Sequence, residues 1–150
     1  MPDVRLVEIL LVEDNDLDAD LTLAAADDCG LANRISRVLD GQEALDYLYQ
    51  HSPYEHVRRP DLILLDLNLP GIDGREVLHT IKSDDTLKTI PVVVLTTSID
   101  DADVLGAYSS GSNAYIQKPV ESDGFLSVMR TLEDFWIGLV VLPNQAEEST

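Results

Sequence analysis

Cysteine is nearly absent from this 150-residue chain. Cys29 stands alone, which excludes an internal disulfide and any metal site built on several thiolates. Basic residues are scarce as well: 10 Lys and Arg face 28 Asp and Glu, a formal net charge of −18. Such a balance repels the phosphates of a duplex and an anionic membrane surface alike, so neither nucleic acid nor membrane is an expected partner. Long apolar runs are missing too. Phe135 to Leu142, the most apolar late stretch, is far shorter than the roughly 20 residues that cross a bilayer. The amino-terminal MPDVRLVEILLVED is broken by Glu8 and shows neither a basic leader nor a small-residue cleavage site. A cytoplasmic setting is expected. His51, His56 and His79 have no paired ligand spacing and read as surface residues.

Against these absences stand short runs of Val, Ile and Leu at Leu6 to Val12, Asp61 to Leu65 and Ile90 to Leu95, with shorter ones at Ile35 to Leu39 and Ala114 to Ile116. Continuous rather than alternating runs predict strands covered on both faces. Helical patterns fill the gaps: Leu17 to Asp28, with Leu17, Leu21, Ala24 and Ala25 on one face; Gly41 to Gln50 behind the N-cap pattern of Asp40 and Glu43; a segment behind Asp73 and Glu76; Asp100 to Tyr108; and Ser122 to about Leu139. Strand and helix alternate five times, which calls for a parallel sheet with helices on both sides. In such sheets ligands bind outside the carboxyl ends of the strands.

Polar residues sit at those ends. The first run finishes in Glu13 and Asp14, the third in Asp66, the fourth in Thr96 and Thr97, and the fifth leads to Lys118. Singly, each has a plainer reading: acids after a strand cap helices, with Asp16 the expected cap of the first, and threonines satisfy backbone groups. Together they make a site. Crowded carboxylates stay ionised when a cation sits among them, and hard oxygen ligands suit Mg²⁺. A metal, an ammonium and a hydroxyl around one carboxylate would stabilise a transferring phosphoryl group, with Asp66 as the nucleophile that forms an acyl phosphate.

ILLVEDN at 9–15, DLILLDLNLPGIDG at 61–74, VVVLTTS at 92–98 and AYIQKP at 114–119 resemble, in order and spacing, the receiver domain of two-component response regulators. The resemblance covers about residues 5 to 138. It implies a CheY-like, flavodoxin-like (βα)5 fold: a doubly wound five-stranded parallel sheet of strand order 2-1-3-4-5. Asp66 would accept a phosphoryl group from a sensor histidine kinase. Asp14, Asp66 and the backbone carbonyl of Asn68 would bind Mg²⁺ directly, with Glu13 acting through water. Lys118 and Thr96 would stabilise the phosphoryl oxygens, the Lys118–Pro119 bond would be cis, and Thr96 with Tyr115 would form the switch. Output would lie on the face made by the fourth helix, fifth strand and fifth helix. Glu13 departs from the aspartate that many members carry, and the loop at 51–60 is longer than in the smallest members.

Only 32 residues follow Lys118, so a receiver over 1–138 with a 139–150 extension is expected to signal by direct protein contact. Phe135, Trp136, Ile137, Val140, Val141 and Leu142 exceed what packing on the sheet needs, which predicts a homodimer through the fifth helix and residues 139–143, with 144–150 flexible. The FW…LP ending resembles the small regulators associated with bacterial phytochromes, which would make the kinase a bacteriophytochrome.

Three other readings fit less well. A haloacid-dehalogenase phosphatase usually has an acid two residues after its nucleophile, where this chain has Asn68. A flavodoxin-like carrier needs a phosphate loop where EDNDLD would repel phosphate. An EF-hand starting at Asp14 would have Ala19 in place of Gly and Ala25 in place of Glu.

Overall fold

The computed structural model describes residues 8–31, 34–97, 111–112 and 114–131. Asp100 to Tyr108 and the six residues expected at the dimer contact lie outside the described residues.

Five parallel strands, β1 (Ile9–Val12), β2 (Ile35–Val38), β3 (Leu62–Asp66), β4 (Val92–Thr96) and β5 (Ala114–Gln117), pair in the order β2-β1-β3-β4-β5. Alternate strand residues point to opposite faces. Ile9, Leu11, Leu62, Leu64, Val93 and Leu95 pack with Phe125 and Met129 of the helix Ser122–Thr131 and with Ala19, Ala25 and Ala26 of α1 (Asp16–Asp28). Leu10, Val12, Ile63, Leu65, Val92 and Val94 pack on the other face against α2 (Gly41–Leu48) and α3 (Gly74–Ser83), through Ala44, Leu48, Val77, Leu78 and Ile81. Helices on both faces and this strand order are those of a CheY-like receiver.

Only the central strands are covered on both faces. β1, β3 and β4 are buried throughout, as their continuous runs predict. The edge strands differ: β5 alternates buried and exposed residues, and β2 exposes Ser36. An edge strand lacks a neighbour on one side, so polar residues are tolerated there.

Two local expectations are corrected. Asn15, not Asp16, caps α1: its Oδ1 accepts the Asp18 N–H at 2.9 Å from an extended backbone, and Asp16 is the first helical residue. The buried face of α1 is Ala19, Thr22, Ala25 and Ala26, while Leu17, Leu21 and Ala24 are exposed. Small residues let the helix lie close to the sheet, and Thr22 can be buried because its hydroxyl donates to the Asp18 carbonyl. The other caps are as predicted. Asp40 accepts from Glu43 N–H, and Asp73 from Arg75 N–H.

Candidate functional site

The carboxyl ends of β1, β3, β4 and β5 converge because parallel pairing in register brings Val12 beside Leu65 and Asp66 beside Leu95. Each strand then adds a polar residue just past its apolar run. Glu13 is fully buried, Asp66 is 4% exposed and Thr96 3%, while Asp14 faces solvent. One oxygen from each of Glu13, Asp14 and Asp66 lies within 4.8 Å of the others. Lys118 enters from the β5 side, held by its own N–H donating to the Thr96 carbonyl at 2.8 Å, and its bond to Pro119 is cis.

The electrostatics are those of a crowded acidic site. The Lys118 Nζ lies 2.9 Å from Asp66 Oδ2, 2.6 Å from Glu13 Oε1 and 3.1 Å from Asp18 Oδ2. Burial alone would favour loss of the Lys118 proton, but Glu13 and Asp66 outweigh it and raise the pKa above its ordinary value. Burial first, and then the adjoining Asp66 carboxyl, push Glu13 from 4.5 up to about 7, against the opposing pull of Lys118. Glu13 Oε1 is buried without a hydrogen bond; the ammonium beside it is an ion-pair neighbour outside hydrogen-bond geometry.

These observations fit a divalent cation. Three carboxylates share one small space, two of them buried, one buried oxygen makes no hydrogen bond, and one acid is pushed toward protonation. Hard oxygens of this kind select Mg²⁺ or Mn²⁺ over softer metals. Asn68 stands on the exposed turn next to Asp66, and its N–H donates to Asp66 Oδ1 at 2.9 Å.

Thr96 and Tyr115, the two residues expected to form the switch, lie on adjacent strands. Tyr115 is opposite Val94 in the register, and Thr96 follows two residues later on the same face. Tyr115 is 39% exposed.

Sequence reading missed three residues that shape the site. Asp18, in the first turn of α1, touches Lys118 across 100 residues of chain, a contact that no local spacing announces. Arg37 of β2 donates from Nε to the Glu13 carbonyl at 2.9 Å and from Nη2 to Asp16 Oδ1 at 3.0 Å, tying down the acidic loop. Gly74 begins α3 against the Asp66 backbone: a Cβ there would lie 2.3 Å from the Asp66 carbonyl oxygen and 2.6 Å from Leu67 Cα. Glycine is required by close approach, which pattern reading does not see.

Comparison with known proteins places this geometry. Residues 9–130 match the model of the response regulator receiver domain. The chain is 43% identical over 138 residues to the probable methanogenesis regulatory protein FilR2 of Methanothrix harundinacea, covering 92% of this chain and 88% of FilR2. It is 42% identical over 135 residues to response regulator Rcp1 of Synechocystis, covering 90% and 92%. The Mn²⁺-bound form of Rcp1 superposes with a TM-score of 0.73 at 42% identity, over 91% of this chain and 99% of that one. The phosphorylated cyanobacterial phytochrome response regulator RcpA does so at 0.75 and 45%, over 93% and 99%.

Proposed function

Because the chain belongs to the response regulator receiver family, we propose that Asp66 is its phosphoacceptor and that a sensor histidine kinase supplies the phosphoryl group. Receiver proteins of this kind are signalling proteins rather than enzymes acting on external substrates. The observation that carries the assignment is the meeting of Glu13, Asp14, Asp66 and Lys118 within one strand-end cluster.

In the transfer an Asp66 carboxylate oxygen bonds to phosphorus, the donor's bond to phosphorus breaks, and its electron pair leaves with the donor group. β3 holds Asp66 rigidly for that attack. Asp14, Asp66 and the Asn68 carbonyl would hold Mg²⁺ directly and Glu13 through water. When bound, the ion supplies positive charge against the carboxylates and the phosphoryl oxygens. Lys118 places its ammonium on a phosphoryl oxygen, and Thr96 turns its hydroxyl toward the group. That movement opens space for Tyr115 to rotate inward, so a charge change of about −1.5 to −2 is read as a change of surface. The reader is another protein, on the face that includes β5 and the Ser122–Thr131 helix.

The likeness to RcpA favours a phytochrome kinase as the upstream partner. Phosphotransfer from a purified phytochrome kinase, set beside unrelated histidine kinases, tests this: equal rates would remove the preference. The receiver occupies 1–138, and two copies pair through the last helix and residues 139–143, a reading supported by the surplus apolar residues Phe135, Trp136, Ile137, Val140, Val141 and Leu142. Light scattering on the full chain and on Trp136→Ala with Val140→Asp tests it, the variant being monomeric. No described helix is long and apolar enough to cross a membrane.

The decisive experiment on the site is intact-protein mass after incubation with acetyl phosphate and Mg²⁺. A gain of about 80 Da, abolished by EDTA and by Asp66→Asn, is expected. A gain that survives Asp66→Asn would place the modification elsewhere.

A further inference from the structure

Lys118 is surrounded by one more anion than the proposed chemistry uses. Glu13 and Asp66 come from the strand ends, but the third partner, Asp18 Oδ2 at 3.1 Å, comes from the first turn of α1, 100 residues away in the chain. Its backbone is fixed twice: the Asp18 N–H donates to Asn15 Oδ1 at 2.9 Å, and its carbonyl accepts from Thr22 Oγ1 at 3.0 Å. The Asp18 side chain is 28% exposed, whereas that of Lys118 is only 5% exposed. Asp18 is therefore the most exposed of the three carboxylates around a buried ammonium.

We propose that Asp18 is a positioning residue that restrains Lys118 in the unphosphorylated protein and thereby slows phosphorylation of Asp66. The proposal rests on the reading of Asp66 as phosphoacceptor. An ammonium has three N–H donors and no more. Two of them are donated, to Asp66 and Asp18, and Glu13 closes the third side as an ion-pair neighbour, so an arriving phosphoryl oxygen must take the place of one of the three. Asp18 is the partner most readily exchanged, because it alone of the three is substantially wetted. Its charge also opposes the approach of a negatively charged donor. With acetyl phosphate, the Asp66–phosphorus bond forms as the donor's phosphorus–oxygen bond breaks and acetate leaves with the electron pair; Asp18 takes no proton and makes no bond.

The test uses the full chain with Asp18→Asn, Asp18→Ala and the charge-retaining Asp18→Glu. The restraint is read without any donor or metal, as the exchange with water of the Lys118 ammonium hydrogens by nitrogen-15 NMR. Exchange should be several-fold faster in the Asn and Ala variants and restored toward wild type by Glu. The consequence is read as the rate of Asp66 phosphorylation with Mg²⁺, followed by mass. It should rise about fivefold with acetyl phosphate in the Asn and Ala variants, and less with phosphoramidate, whose protonated nitrogen lowers its net negative charge. Unchanged ammonium exchange overturns the restraint. A rate that is unchanged or lower, in protein whose wild type is phosphorylated at Asp66, overturns its role in transfer. A wild type modified at another residue overturns the reading of Asp66 itself, and the NMR result keeps the two failures apart.

Discussion

Leu64 and Asp66 stand two residues apart on β3 and are buried to nearly the same degree, 0% and 4% exposed. Leu64 packs within an apolar cluster, and its burial is favourable in itself. Around Asp66 the neighbours are Glu13 and Lys118, and burying a charge costs free energy that pairing has to offset. The sheet thus spends its interior on stability and its carboxyl edge on readiness to bind a cation. The difference shows that depth of burial alone does not identify a core residue; what surrounds it decides.

The comparison is broken most forcefully at its apolar end. Leu64→Ala should lose about 2–5 kcal/mol of stability through lost burial and a residual cavity. Asp66→Asn at similar depth should be neutral or stabilise the metal-free protein by about 1 kcal/mol, because it relieves crowding while Glu13 and Asp18 still pair with Lys118. Equal losses in urea unfolding for the two variants would remove the distinction.

Gly74→Ala tests whether the edge depends on exact backbone contact. A methyl group 2.3 Å from the Asp66 carbonyl must displace β3 or α3. About 1–3 kcal/mol should be lost, and phosphorylation by acetyl phosphate should slow even where the variant is fully folded. A folded variant with wild-type rates would show that the strand end tolerates the shift.

The comparison is sharpened further through pH. Glu13 has its folded pKa raised from 4.5 to about 7, so between these values the folded state binds more protons than the unfolded. Its contribution to stability is therefore fullest below pH 4.5 and is lost as pH rises to about 7, opposite in sign to an ordinary ion-paired carboxylate. Glu13→Gln should flatten that slope in melting curves taken from pH 5 to 8. Cation binding must displace the same proton, so Mg²⁺ affinity should fall about tenfold from pH 8 to pH 6 in the wild type and much less in the variant.

Much of this was legible in the sequence, for identifiable reasons. The central strands announced themselves because a strand covered on both faces must be apolar throughout, and Glu13, Asp66 and Thr96 because each directly follows such a run. The edge strands were harder: Ser36 and Gln117 are permitted only by a missing neighbour, which is a fact of topology. The apolar face of α1 was misplaced because Leu17 and Leu21 outweigh Ala19, Ala25 and Ala26 in hydrophobicity, whereas close packing selects small residues. Asp18, Arg37 and Gly74 were missed because their roles rest on contacts 24 to 100 residues away for the first two and on the shape of the backbone for the third.

The span from Asp18 to Lys118 also bears on how the protein is made. A chain growing on a ribosome exposes Glu13, Asp14 and Asp18 first and Asp66 later, but the ammonium that joins them arrives 100 residues after Asp18. Contacts so far apart in sequence form late, because the intervening chain must first be ordered. Until β5 docks, the acids form no finished site. Assembly of the complete cluster of acids and ammonium therefore coincides with completion of the sheet.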